Sequence, residues 1–109
     1  MKLKRSVTEF EQRVYAAIAR IPRGRVSTYR LVAQAIGCGS AQAVGQALRR
    51  NPFAPRVPCH RVIASDLSIG GFAGHTAGRE IRRKLDILAR EGVRFEGGRL
   101  ADKGRVCKF

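Results

Sequence analysis

Apolar residues recur at helical spacing in four stretches of the chain, with glycine and proline between them. Phe10, Val14, Ile18 and Ile21 form the first stripe, three or four residues apart as on one face of a helix. Thr8-Glu9-Phe10-Glu11 ahead of it has the capping-box pattern, and Pro22 and Gly24 end it. This helix reads as scaffold, with Tyr15 packing rather than doing chemistry. Ser27 or Thr28 can cap a short second helix with Leu31, Val32, Ala35 and Ile36 inward. Gly37-Cys38-Gly39 stops it. Ser40 can cap a third helix through Arg50, with Val44, Ala47 and Leu48 on one face. Thr76 can cap a fourth, with Ile81, Leu85 and Leu88 as its buried stripe and Gly92 as its C-terminal cap. Arg79, Arg82, Arg83 and Lys84 then crowd its other surfaces, which is either a solvated face or a contact surface.

Between the third and fourth helices the pattern changes. Arg61-Val62-Ile63-Ala64 suits a short strand, Ser65-Asp66-Leu67-Ser68 a turn, and Ile69-Gly70-Gly71-Phe72-Ala73-Gly74 a glycine-rich loop. The loop lacks the G-x-x-x-x-G-K-[ST] signature, so it is not a P-loop. Its glycines would let the backbone approach a flat ligand closely. The tail, residues 94–109, carries Gly97-Gly98 between two short runs: a hairpin or wing, or a basic arm. The expected architecture is mainly α with minor β, a small helix-turn-helix or winged-helix-like domain. Residues 1–109 form one domain, with a core at about 8–93.

The second and third helices flank a glycine-containing turn, as in a helix-turn-helix, although an ordinary αα-hairpin has the same spacing. The outward face of the third helix would carry Gln42, Gly45, Gln46 and Arg49, with Arg50 at its end. That face is small, polar and basic, which suits a nucleic-acid groove.

Charge sharpens this expectation. The 109 residues hold 22 Lys and Arg against 8 Asp and Glu, a net charge of +14. This is far more than solubility requires and favours a polyanionic partner, nucleic acid before an anionic membrane surface. With 44% hydrophobic residues, 6% aromatics and no tryptophan, the core must be aliphatic. No apolar run approaches spanning length, so no membrane partner is expected. Met1-Lys2-Leu3-Lys4-Arg5 leads into no apolar stretch, so no signal peptide is expected. The cysteines, Cys38, Cys59 and Cys107, are odd in number and lack metal-ligand spacing. The expectation is a cytoplasmic monomer with no metal, cofactor or disulfide scaffold.

Candidate chemistry lies in residues 51–62. Pro58-Cys59-His60-Arg61 puts a thiol beside an imidazole, between the basic residues Arg56 and Arg61. A thiol becomes a good nucleophile when it ionises, and neighbouring cations and an imidazole base both favour that. Adjacent residues on an extended strand point apart. Cys59 and His60 can therefore cooperate only if the chain turns here, as Pro58 permits, or a water bridges them. The plain alternative is a buried cysteine in a turn. Glu91 is a second unusual residue. It lies where the helix dipole disfavours an anion, so something other than helix stability holds it there.

Five blocks in order resemble the O6-alkylguanine-DNA alkyltransferase family over residues 10–93: Gly24-Arg25-Val26-Ser27-Thr28-Tyr29, Ala43-Val44-Gly45, Pro58-Cys59-His60-Arg61-Val62 with Asn51-Pro52 upstream, Gly70-Gly71-Phe72-Ala73-Gly74, and Glu91-Gly92. The resemblance implies an alkyltransferase catalytic domain that binds duplex DNA, flips out O6-alkylguanine and moves the alkyl group irreversibly to Cys59. His60 would deprotonate Cys59 through a water, Glu91 would orient His60, and Asn51 would hold the reactive turn. Tyr29 would contact the flipped base or its phosphate. The carbonyls of Cys59 and Val62 would accept from the guanine amino group. The Ala73 N–H, beside Phe72, would donate to the O6 oxygen. Gln42, Gly45, Gln46, Arg49, Arg50 and Arg61 are the expected DNA contacts.

Three departures stand out. Many relatives carry an arginine where Gln42 stands, filling the gap left by the flipped base, so Arg49 or Arg50 would have to compensate. Phe72 replaces a common tyrosine. The chain starts almost at the first helix, where full-length repair enzymes have another domain. Its size resembles the alkyltransferase-like proteins, which bind the same lesions, lack the acceptor cysteine and recruit nucleotide excision repair proteins. The alternative is therefore a non-enzymatic lesion sensor. A plain helix-turn-helix regulator would not need Cys59, His60, Asn51 and Glu91 together. A Cys-His hydrolase lacks an evident oxyanion donor.

Overall fold

The computed structural model describes residues 7–53, 56–70 and 78–109. Among them are four α-helices: α1 (Glu9–Ile18), α2 (Tyr29–Ala35), α3 (Ala41–Arg49) and α4 (Arg79–Arg90). There are also four two-residue strands: β1 (Ser27–Thr28), β2 (Val62–Ile63), β3 (Phe95–Glu96) and β4 (Arg99–Leu100). The chain is mainly α with minor β.

The helix starts follow from side chains that satisfy the first backbone N–H groups. The Thr8 hydroxyl accepts from Glu11 N–H at 3.0 Å, and the Glu11 carboxylate accepts from Thr8 N–H at 3.0 Å, completing the capping box. Of the two candidates for α2, Thr28 is the cap, accepting from Leu31 N–H at 3.1 Å. Ser40 caps α3 through Ala43 N–H at 3.0 Å. α4 begins differently. Its cap residue is Gly78, with φ +86° and no side-chain bond; Thr76, the expected cap, lies outside the described residues.

The first three helices pack on one another around Val14, Ile18, Ile21, Val32, Val44, Ala47 and Leu48. Tyr15, buried on α1, donates its hydroxyl to the Ala47 carbonyl at 2.7 Å and meets Phe53 edge-on. It thereby ties α1 to α3 and to the segment leading toward Cys59. The inward face of α2 differs from expectation: Ala33 is buried and Ala35 exposed, with Leu31 half-buried. The helix starts at Tyr29 and has only seven residues, so residues 32, 33 and 36 share the face against the core.

A second core cluster joins Val26, Ile63, Leu88, Val93 and Leu100. It forms because β1 and β2 pair in parallel, Ser27 with Val62 and Thr28 with Ile63. The tail folds back onto it. β3 and β4 make an antiparallel hairpin across Gly97 and Gly98, both at positive φ, as a tight two-residue hairpin turn requires. Beyond it, Val26 N–H donates to the Arg105 carbonyl at 2.9 Å and Cys107 N–H to the Val26 carbonyl at 2.6 Å. The hairpin alternative holds for residues 95–100, and the chain beyond them returns through a 3₁₀ turn at Lys103–Arg105 to a bridge between Val106 and Val26, so the tail is not a loose basic arm. No helix is long and apolar enough to cross a membrane among the described residues.

Candidate active site and nucleic-acid face

Residues 51–62 form a compact frame for the cysteine. The Asn51 side chain donates to the Val57 carbonyl at 3.0 Å and accepts from Phe53 N–H at 2.9 Å. Cys59 N–H donates to the Val57 carbonyl at 2.8 Å. After Pro58 the chain makes a single 3₁₀ turn over Cys59–Arg61. It is closed by Arg61 N–H on the Pro58 carbonyl at 2.9 Å and by Val62 N–H on the Cys59 carbonyl. The turn thus removes the extended-strand objection to Cys59 and His60 acting together.

His60 is buried at 6% exposure. Its Nε2 lies 3.1 Å from Glu91 Oε2. Glu91 is the cap residue at the end of α4, and Gly92 at φ +85° lets the chain leave the helix there, with Val93 N–H on the Leu88 carbonyl. Arg61 grips the same carboxylate with two prongs: Nε to Oε1 at 3.0 Å and Nη2 to Oε2 at 2.9 Å. Its Nη1 donates to the Ile21 carbonyl at 2.9 Å. This corrects the expectation that Arg61 faces DNA. Its guanidinium turns inward because the turn places it over Glu91, and a bidentate pair satisfies an otherwise costly buried carboxylate.

The electrostatics follow from that geometry. Burial alone would raise the Glu91 carboxyl, but hydrogen bonds from Arg61 and His60 overcome it and hold the group below the ordinary carboxylate range. An ionised carboxylate only accepts, so His60 Nε2 carries the proton and Nδ1 is the free basic nitrogen. Burial also pushes His60 below its ordinary value, against the pull of Glu91, with Arg61 and Lys84 adding to the fall. The imidazole is kept neutral and able to accept a proton.

Lys84 is the residue the sequence reading misplaced. Expected among the outward charges of α4, it is fully buried at 0% exposure. Its Nζ donates to the carbonyls of Val62 and Ile69, each at 2.7 Å. Lys84 sits three residues after Ile81 and four before Leu88, so it occupies the apolar stripe itself, and Leu85 is only half-buried. That spacing was the available signal. Burial, only partly offset by the nearby Cys59, pushes its amine down to about 7.

Tyr29, at the start of α2, packs against the approach to the glycine-rich stretch. A Cβ on Gly70 would lie 3.1 Å from the Tyr29 hydroxyl and 3.2 Å from Ala64 N, so glycine is required there. Val62 pairs with Ser27 in the β1–β2 ladder, and its carbonyl already accepts from Lys84. Phe72 and Ala73 lie outside the described residues. On α3, Gln42, Gln46 and Arg49 are exposed and Gly45 half-buried, with Arg50 exposed at the C-cap. A Cβ on Gly45 would meet nothing within 4 Å, so this face is open to close approach. No cluster of three metal-ligating side chains occurs among the described residues.

The profile of the family described as 6-O-methylguanine DNA methyltransferase, DNA binding domain, matches residues 9–93. The chain belongs to this family. A methylated-DNA–protein-cysteine methyltransferase of Methanothermobacter thermautotrophicus is 44% identical over 90 residues, covering 83% of this chain and 48% of the relative. The crystal structure of Mycobacterium tuberculosis OGT in complex with DNA superposes with a TM-score of 0.71 at 42% identity, covering 80% of this chain and 51% of that one. S. pombe Atl1, in complex with damaged DNA containing O6-carboxymethylguanine, superposes with a TM-score of 0.75 at 32% identity and covers 100% of both chains. The chain spans about half the length of the curated methyltransferase relatives it matches.

Proposed function

We propose that this protein repairs DNA by binding duplex through the α3 face, flipping out O6-alkylguanine and transferring the alkyl group to Cys59. The observation that carries this reading is the reactive turn: Cys59 shares one 3₁₀ turn with a neutral, buried His60 whose far nitrogen is engaged by an ionised Glu91. The thiol proton passes through a water to His60 Nδ1. The sulfur attacks the alkyl carbon; the C–S bond forms, the C–O6 bond breaks, and its electron pair stays on the guanine oxygen. The base takes up a proton and leaves as guanine. The thioether is not reversed, so each molecule acts once. Tyr29, Val62, Phe72 and Ala73 are assigned to the flipped base, and Gln42, Gly45, Gln46, Arg49 and Arg50 to the duplex. Base extrusion costs a few kcal/mol and is easiest for damaged or mispaired bases, which itself favours the lesion.

A second reading is supported by the full mutual coverage with S. pombe Atl1. Here the protein binds O6-alkylguanine without transfer and passes the lesion to nucleotide excision repair proteins. Intact-mass measurement after incubation with an O6-methylguanine duplex separates the two. A gain of one methyl group, absent in Cys59→Ala while lesion binding persists, establishes transfer. Tight, lesion-selective binding with no mass change rejects transfer and leaves the sensor.

A further inference from the structure

We propose that the cleft between the Arg23–Arg25 turn and the 102–105 segment of the tail is a docking site for an acidic peptide segment of a protein partner. The site is separate from Cys59 and from the α3 face, and it does not depend on the proposed transfer.

The cleft has a volume of about 400 Å³ and is lined by Arg23, Gly24, Arg25, Asp102, Gly104 and Arg105. Three of these residues belong to the tail, beyond residues 9–93 that the family profile matches. The lining side chains are three guanidiniums and one carboxylate; the rest is glycine backbone. Pockets for cofactors and drug-sized ligands are predominantly apolar, so this lining selects an oxyanion instead. Gly24 keeps the floor open. It sits at φ +86°, and a Cβ there would lie 3.2 Å from the Glu91 carbonyl oxygen and 3.3 Å from Arg105 Nη1.

The three guanidiniums are held in place before any ligand arrives. Each places one nitrogen on a backbone carbonyl: Arg23 Nη2 on Arg90 at 3.1 Å, Arg25 Nη2 on Gly104 at 3.3 Å, and Arg105 Nη1 on Gly24 at 2.9 Å. A guanidinium has five N–H donors in a fixed fork, so most remain for a ligand. Asp102 neutralises little of this charge. Its Oδ1 accepts from Gly104 N–H at 2.9 Å, and its Oδ2 lies 3.7 Å from Arg105 Nε. Arg23 and Arg25 have no ion-pair partner among the described residues. Arginine pairs bidentately with carboxylates, and its weak hydration suits interfaces.

Shape and position favour a peptide over DNA. On an extended peptide, alternate side chains share one face roughly 7 Å apart, so a single strand lays two carboxylates into the cleft. A duplex offers its phosphates on a convex surface far wider than this cleft. None of the α3 residues assigned to duplex lines it. β1 pairs with β2 through Ser27 and Thr28, while Val26 just ahead bridges to Val106 of the tail. The tail and the reactive turn therefore flank that strand on its two edges, and peptide and duplex have separate places to bind.

The probe is a fluorescein-labelled decapeptide of alternating glutamate and glycine. Binding is read by anisotropy at roughly 150 mM salt, where exposed charges are screened beyond about 8 Å. The parent should bind the peptide, and Arg23→Gln with Arg25→Gln should weaken binding at least about tenfold. Arg79→Gln with Arg82→Gln removes the same charge from exposed positions on α4 and should change affinity less than about twofold. No binding by the parent at about 1 mM protein would overturn the proposal. So would equal losses in the two double variants, or displacement of the peptide by undamaged duplex. If the Arg23 and Arg25 variant does not fold, amide NMR spectra of the parent decide. Peptide-induced shifts should centre on Gly24 and Gly104; shifts centred on Gly45 of α3 would overturn the site. None of these measurements uses Cys59 or a lesion, so failure of the proposed transfer leaves them intact.

Discussion

Glu91 is an anion at a helix C-terminus, and its neighbours explain its position. Arg61 and His60 both donate to it, so its folded-state value lies below that of the unfolded chain. Such a group contributes stability that is complete above the ordinary carboxylate range and is lost as pH falls through the lower folded value. His60 acts in the same direction, because its folded value is lowered too: its contribution is complete above the ordinary histidine value and falls away below it. Arg61→Met removes the bidentate partner and lets the Glu91 value rise. Denaturant melts should show a loss of about 2 kcal/mol at pH 7, below the range for fully buried pairs because Arg61 is 17% exposed. The acid transition of the variant should also begin at higher pH than that of the parent. Gln42 poses a different question, since it stands exposed on α3, at the position where the family resemblance implies an arginine in many members. Gln42→Arg should speed single-turnover transfer from duplex and hardly change reaction with free O6-methylguanine, which needs no flipping. Equal changes on both substrates would place position 42 outside the flipping step.

At the scale of elements, the site depends on where helices start and stop. α4 must end at Glu91 to aim that carboxylate at His60, and Gly92 at φ +85° makes the exit. A side chain there would meet only the far end of Arg105, at 3.6 Å, so backbone strain dominates the cost of substitution. Gly92→Ala should destabilise by about 1 kcal/mol. It should also slow transfer through Glu91, measurable as a loss of rate at a pH and temperature where the variant is still folded. A stability loss with transfer rate unchanged would mean that the end of α4 tolerates the shift. The 3₁₀ turn at Cys59–Arg61 is the other decisive element. It sends His60 and Arg61 to the same carboxylate although they are adjacent in sequence.

For the whole molecule, net charge matters most. A small fold carrying +14 should bind duplex with a steep salt dependence, because each neutralised phosphate releases condensed counterions. Affinity for undamaged duplex should fall at least tenfold between roughly 50 and 200 mM salt, read by fluorescence anisotropy. Flat affinity over that range would exclude a phosphate-tracking interface. Arg49→Gln on the open α3 face should reduce the slope by about one ion.

Local sequence was enough for the features that local physics controls. The capping box at Thr8, the cap at Ser40, the apolar faces of α1 and α3, and the C-terminal glycine of α4 all involve residues within four or five positions of one another. Backbone N–H groups at helix ends need nearby acceptors, so these were legible. The mainly α class with minor β followed from the same periodicities. Tertiary structure alone decided the long-range matters. Parallel pairing of Ser27 with Val62 brings the reactive turn beside the start of α2, and no local pattern specifies a partner thirty-five residues away. Arg61 turns inward because Glu91 and the Ile21 carbonyl, distant in sequence, meet there. Lys84 is buried because two carbonyls from separate stretches surround its ammonium. A charged residue on an apolar stripe can face solvent or core, and only the partners it meets across the fold settle which.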